Sequence, residues 1–322
     1  MLEEMLPGLF RIEVPLPGNP LKVINSYVVM GQDRNLMIDT GMNREECRTA
    51  LESGLHELEI DLRDTDIFVT HMHADHSGLV ADLAADGSTV YASRLDAPVI
   101  NHGPDWEGMR RFAASSGFPW DDLQRAIERH PAHQYRTSHV VDFKLMGEGD
   151  VVMAGDYRFR CIETPGHTRG HLCLYDETRK ILVSGDHVLR DITPNISVWS
   201  SVENPLEQYL KSLEKISTLE VDIVLPGHRR AFRDLKVRIE ELKRHHKARA
   251  DEVLAILAKG PMNPFQVASG MSWDLTYRTF DEFPVQQKWF AGGEAVAHLR
   301  YLEEKGLVRR EPAGGQIVYA LS

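Results

Sequence analysis

Cysteine is scarce in this chain: Cys47, Cys161 and Cys173 are its only three. An odd, sparse set argues against a disulfide framework and fits a reducing compartment, so a cytoplasmic protein is expected. Long apolar runs are missing as well. No stretch approaches the ~20 consecutive apolar residues of a bilayer-crossing helix. The opening Met1-Leu2-Glu3-Glu4-Met5-Leu6-Pro7 has neither the basic start nor the apolar segment of a secretory signal. No membrane partner is expected. Positive charge is in deficit: 37 Lys plus Arg face 48 Asp plus Glu, for a formal net charge of −11. That balance disfavours general binding to a phosphate backbone. No Gly-x-Ser-x-Gly turn occurs, so nothing points to a serine nucleophile. What remains is ordinary for a globular protein, 42% hydrophobic and 26% charged, and 322 residues allow a large core and about two domains.

Against that background one segment stands out, His71-Met72-His73-Ala74-Asp75-His76, straight after the apolar run Ile67-Phe68-Val69-Thr70. Imidazole nitrogen and carboxylate oxygen suit Zn²⁺ and its first-row neighbours. Three later segments repeat one layout, an apolar run, a small-residue turn and then a metal-type ligand. Phe159–Glu163 leads to Thr164-Pro165-Gly166-His167, Ile181–Ser184 to Gly185-Asp186, and Val221–Leu225 to Pro226-Gly227-His228. Each run has the length and β-branched content of a buried strand, which places each ligand in a loop past a strand end. Such loops converge on a crevice at one edge of a layered α/β fold. The candidate ligands are therefore His71, His73, Asp75, His76, His167, Asp186 and His228. Seven are too many for one tetrahedral zinc and suit two ions, since a carboxylate can bridge with its two oxygens.

The run His71–His76 has the form HxHxDH, and with TPGH, SGD, PGH and the earlier Ile38-Asp39-Thr40-Gly41 it resembles the metallo-β-lactamase superfamily over roughly residues 8–235. The resemblance implies a four-layer αββα sandwich with a dinuclear centre. In that scheme His71, His73 and His167 hold one metal, Asp75, His76 and His228 the other, and Asp186 bridges. Asp39 lies beneath and orients ligand histidines, as metal-bound imidazoles generally require. His171, which opens the next strand, is expected beside the site or simply packed. True lactamases with the most similar motif lack Asp at the bridging position. Asp186 therefore aligns this chain with the branch of glyoxalase II and the acyl-homoserine lactonases. The implied activity is hydrolysis of an acyl thioester or lactone by a bridging hydroxide, with Asp75 and Asp186 the catalytic carboxylates and a small acyl compound as substrate. The implied cofactors are two divalent ions, zinc first, with iron or manganese also served by these ligands. An endoribonuclease acting on single-stranded RNA is the first alternative, and a metabolite-binding regulatory module the second.

The fold class expected is thus α/β, with residues 1–236 as catalytic domain and 237–322 as a small winged-helix-like α+β domain. Residues of about 94–145 exceed the minimal core and are expected to form a helical insertion over the metal crevice. Trp106, Phe118 and Trp120 from it, with Thr193, Asn195 and Trp199 after the bridging aspartate, are the candidate substrate-pocket residues. Aromatics are core material by default, so packing is the competing role for them. Asn43 is a plausible cap for a helix starting near Glu45, and His245 and His246 are expected in solvent. From residue 237 a long charged helix, two further helices and a terminal hairpin follow. Residues 241–322 carry 11 Lys plus Arg against 10 Asp plus Glu. Without a basic face, nucleic acid is disfavoured and a structural or homodimerising role is expected.

Overall fold

A computed structural model of the chain describes residues 1–198, 200, 202–274 and 277–322. The described residues form two compact units. The first comprises residues 1–104, 131–194 and 212–238, and the second comprises 105–130, 195–211 and 239–322.

Two sheets make the first unit. The seven-stranded sheet runs in sequence order: β1 (Leu2–Leu6), β2 (Leu9–Pro15), β3 (Val23–Val29), β4 (Asn35–Ile38), β5 (Thr65–Phe68), β6 (Val90–Ser93) and β7 (Phe143–Met146). Strands β1 to β4 pair antiparallel, and β4 to β7 pair parallel. The five-stranded sheet contains β8 (Val151–Ala154), β9 (Tyr157–Glu163), β10 (Leu172–Asp176), β11 (Ile181–Gly185) and β12 (Ile223–Pro226), with only the β11–β12 pair parallel. Tyr27, Val29, Ile38 and Phe68 from one sheet share a core with Phe159, Cys161, Leu174, Val183 and Leu225 from the other. On the opposite face of the larger sheet, Val28, Met37 and Ile67 pack with Cys47, Leu51 and Leu55 of the helix Glu45–Glu57. Alternation of buried side chains along β3 and β4 thus supplies two cores, as the two-residue period of a strand demands.

Parallel pairing decides where the chemistry lies. Asp39 follows β4, His71–His76 follow β5, His167 follows β9, Asp186 follows β11 and His228 follows β12. All five loops leave the carboxyl ends of their strands, as the apolar runs implied.

Several expectations are corrected. The segment 94–145 is not one insertion: helices Trp106–Ser115 and Trp120–Glu128 belong to the second unit, while β7 is a strand of the large sheet, parallel to β6. The helix at Glu45 starts from Arg44, whose side chain makes no cap bond. Asn43 instead donates its backbone N–H to Tyr135 O at 3.1 Å. After His73 the chain forms two short helices, Ala74–Ser77 and Val80–Leu83.

The second unit contains the helices Pro264–Gly270 and Val285–Glu304 and the hairpin of β13 (Val308–Ala313) and β14 (Gln316–Leu321). Asn263 caps the first of these helices in a reciprocal box with Gln266. His246 is buried, not solvated, because it sits on the inner face of the helix Leu235–Leu257, against Tyr209 and His298. His245 is exposed as expected.

Candidate metal centre

The loop from Thr70 to His73 and the turn Ala74–Ser77 carry four of the seven candidate ligands. Asp39 organises this loop from below. Its Oδ1 accepts from Thr70 N–H at 2.8 Å, and its Oδ2 accepts from Thr70 Oγ1 at 2.8 Å and from His76 Nδ1 at 2.7 Å. Asp39 holds a left-handed backbone conformation, φ 62°, which a short polar side chain tolerates. Its carbonyl accepts from Ser26 Oγ, so the strained residue is tied to β3 as well.

These bonds set which nitrogens are free to bind. With Nδ1–H donated to Asp39, His76 directs Nε2 into the cluster as its ligating atom. Thr70 gives its own proton to Asp39, so its Oγ1 accepts from His71 Nδ1 at 3.1 Å and leaves His71 Nε2 bare. His228 donates Nδ1–H to Val23 O at 2.8 Å and is oriented in the same sense. Each imidazole has its ligating atom chosen by the bond its other nitrogen makes.

Three nitrogens then converge. His71 Nε2 and His167 Nε2 each lie 3.0 Å from His73 Nδ1. A tetrahedral zinc with bonds of ~2.0–2.1 Å sets ligand nitrogens ~3.3 Å apart, so the spacing fits one. Alongside, His228 Nε2 lies 3.3 Å from Asp75 Oδ2 and 3.4 Å from Asp186 Oδ2. The same Asp186 oxygen is 3.6 Å from His167 Nε2, and Asp186 Oδ1 is 3.5 Å from His76 Nε2. Asp186 therefore stands between the two groups of histidines. His76 Nε2, His228 Nε2 and Asp186 Oδ1 are buried with no hydrogen-bond partner among the described residues. Buried lone pairs left unsatisfied are costly unless something cationic completes them. Three overlapping sets could hold an ion: His71, His73 and His167; His71, His76 and Asp186; Asp75, His76 and His228.

Charge differs across the cluster. Burial drives the His71 imidazole well below its ordinary pKa and His73 down to about 3, with neighbouring imidazoles adding to the effect. Both are neutral at neutral pH and keep lone pairs for a metal. Burial opposes charge on His76 and His228 too. There the carboxylates prevail: Asp39 and Asp186 raise His76, and Asp186 and Asp75 raise His228 to about 10. Burial also works against ionised Asp75 and Asp186, but the facing imidazoles hold both carboxyls below the usual range. This half of the cluster draws positive charge.

His171 takes the position expected beside the site. Its Nε2 accepts the Asp186 N–H at 3.1 Å, so its Nδ1–H is directed at Thr164 Oγ1, 2.8 Å away. Gly227 is required by close approach: a Cβ there would meet Asp186 Oδ1 at 2.6 Å and His76 Cε1 at 2.7 Å. Thr70 and Thr164 were not anticipated, because a threonine at a strand end carries no signal of its own.

The pocket candidates divide. Phe118 is a core residue of the second unit, packed with Ala113, Leu123, Ala126 and Trp289, so packing wins over a pocket role there. Trp120 is 60% exposed, with the Arg110 guanidinium 5.3 Å from its ring centre. Trp106 is half-buried, its ring centre 5.2 Å from that of His130. Thr193 and Asn195 are half-buried. Trp199 lies outside the described residues.

Two facing sheets with a His/Asp cluster at the ends of their strands define a class of metallo-hydrolase scaffold. The chain belongs to the metallo-beta-lactamase superfamily, whose model matches residues 20–228. It is 26% identical over 322 residues to the probable metallo-hydrolase YqjP of Bacillus subtilis, covering 97% of each chain. It is 28% identical over 214 residues to the acyl-coenzyme A thioesterase MBLAC2 of Homo sapiens, covering 65% of this chain and 74% of that one. Among solved structures, a metallo-beta-lactamase family protein of Thermus thermophilus superposes with a TM-score of 0.85 at 29% identity, over 99% of this chain and 100% of that one. The likenesses to the Bacillus and Thermus proteins take in both compact units.

Proposed function

We propose that the chain hydrolyses an activated acyl compound, a thioester first and a lactone second, with two divalent ions held by its histidine and aspartate cluster. The observation that carries the reading is the set of buried atoms without hydrogen-bond partners among the described residues, His76 Nε2, His228 Nε2 and Asp186 Oδ1, beside three converging imidazole nitrogens. His71, His73 and His167 would hold one ion, and Asp75, His76 and His228 the other, with Asp186 shared. Ions bound there would acidify a water and polarise the acyl carbonyl.

The protein's own part is to place lone pairs and charge. Asp39 and Thr70 keep the protons of His76 and His71 on Nδ1. His171 holds the Asp186 backbone so that the carboxylate faces both histidine groups. Asp75 and Asp186 supply the negative charge that retains the ions, and Asp75 is assigned the proton transfer. Likeness to the acyl-coenzyme A thioesterase favours the thioester over the lactone.

The test is a panel of acyl-CoA thioesters, acyl-homoserine lactones and labelled single-stranded RNA, assayed before and after chelation and after return of zinc, iron or manganese. Thioester or lactone cleavage that disappears with the metal and returns with it is expected. Undiminished turnover after complete metal removal, or RNA cleavage lost in His73→Ala with every acyl substrate inert, would refute the reading.

A further inference from the structure

Asp96 lies in Ser93-Arg94-Leu95-Asp96, just past β6, and is buried at 1% exposure. It belongs to none of the ligand sets. Its carboxylate nevertheless spans the two loops that carry His71, His73 and His167. Oδ2 accepts from Met72 N–H at 3.0 Å, between His71 and His73. The same oxygen accepts from Thr168 Oγ1 at 2.7 Å, one residue after His167. Oδ1 accepts from Gly170 N–H at 3.0 Å. The Asp96 backbone N–H is fixed by Ser93 Oγ at 3.0 Å.

Gly170 is part of the device. A Cβ at that position would meet Asp96 Oδ1 at 2.7 Å, so only glycine lets the His167 loop come this close. The two loops meet once more, where Leu172 N–H donates to Thr70 O at 2.9 Å. Asp96 bonds to neither Asp75, His76 nor His228.

A buried carboxyl bonded by neutral N–H and O–H groups is costly, and burial raises Asp96 to about 6. A residue that carries such a cost while making three bonds to two ligand loops has a role that packing alone does not require. We propose that Asp96 is a positioning residue that staples the His71–His73 loop to the His167 loop and so sets the spacing of the three converging imidazoles. The inference rests on reading that cluster as a metal centre. It predicts a selective effect, on the three-histidine ion and not on the ion of Asp75, His76 and His228.

The experiment is metal binding by the full chain, stripped with a chelator and titrated with zinc against a chromophoric competitor, then with cobalt followed by visible absorption. Asp96→Asn keeps the shape but turns one acceptor into a donor that faces N–H or O–H. One binding step is expected to weaken by about 10- to 100-fold, the usual effect of removing a ligand's supporting partner. The other step stays within about threefold, and the cobalt band of the weakened site shifts. Thr168→Val, which removes one of the three bonds, shifts the same step by a smaller factor. Urea denaturation of the metal-free proteins separates misfolding from the specific effect. Two unchanged steps in Asp96→Asn would overturn the staple and leave the metal centre standing. Equal weakening of both steps would also overturn it, since the carboxylate would then serve the fold at large. Failure of the unsubstituted chain to bind any ion would remove the metal centre and the staple together.

Discussion

Replacing Asp39 by Asn changes one oxygen to NH₂ and tests how the cluster chooses its ligating atoms. In the native arrangement one carboxylate accepts three bonds, from Thr70 N–H, Thr70 Oγ1 and His76 Nδ1. Asparagine cannot accept all three. If its oxygen faces Thr70 N–H, its amide faces the Nδ1–H of His76. The imidazole must then give up that proton and carry it on Nε2, the atom directed at Asp186, where it blocks metal binding. If the amide is turned the other way, it meets Thr70 N–H. Either arrangement loses at least one bond to a charged acceptor, worth about 1.5–3 kcal/mol. Asparagine tolerates φ 62°, so backbone strain adds little. At about 1.4 kcal/mol per factor of ten, that energy corresponds to a loss of about 10- to 100-fold in affinity for the ion His76 would help to hold. Competitive zinc titration measures it, and ¹⁵N spectra of the His76 ring report the tautomer. Affinity within about twofold of the native chain, with Nδ1 still protonated, would refute the tautomer argument. A destabilised fold with unchanged affinity would reduce Asp39 to a structural residue.

Gly227→Ala drives a methyl group into Asp186 Oδ1 and His76 Cε1. It is expected to cost about 1–3 kcal/mol in urea denaturation and to lower bound metal by elemental analysis, and native stoichiometry would contradict the close-approach argument. In the second unit, burial depresses His298 from 6.5 to about 4; its Nδ1–H bond to Glu294 O opposes the shift, and the Arg249 and His245 charges add to it. A histidine with a depressed folded pKa binds fewer protons folded than unfolded, so its contribution is full above pH 6.5 and is lost as pH falls towards 4. The loss is about 3 kcal/mol. Denaturation midpoints across that window should fall more steeply for the native chain than for His298→Gln, and parallel curves would refute it.

The residues of the His/Asp cluster were legible because they lie in four short segments, each just past an apolar run, and those signals are local. The scarcity of cysteine argued against a disulfide framework, and Cys47, Cys161 and Cys173 are free and buried. Burial of His246 was not legible. A helix that is charged along its length gives a weak inner face, and the neighbours that cover His246, Tyr209 and His298, are distant in sequence. The fate of Phe118 was undecided for a related reason, since an aromatic residue suits a pocket wall and a core equally.

By itself the amino-acid sequence determined the family, the two-sheet α/β class and the inventory of metal-type ligands, because strand periodicity and turn chemistry are written in adjacent residues. Only the tertiary structure decided that residues 105–130 group with the C-terminal unit, that β7 completes the large sheet, and that Asp96 bonds two ligand loops at once. Those facts depend on hydrogen bonds and packing between segments dozens of residues apart, and no local pattern records which distant partner a strand edge or a buried carboxylate will meet.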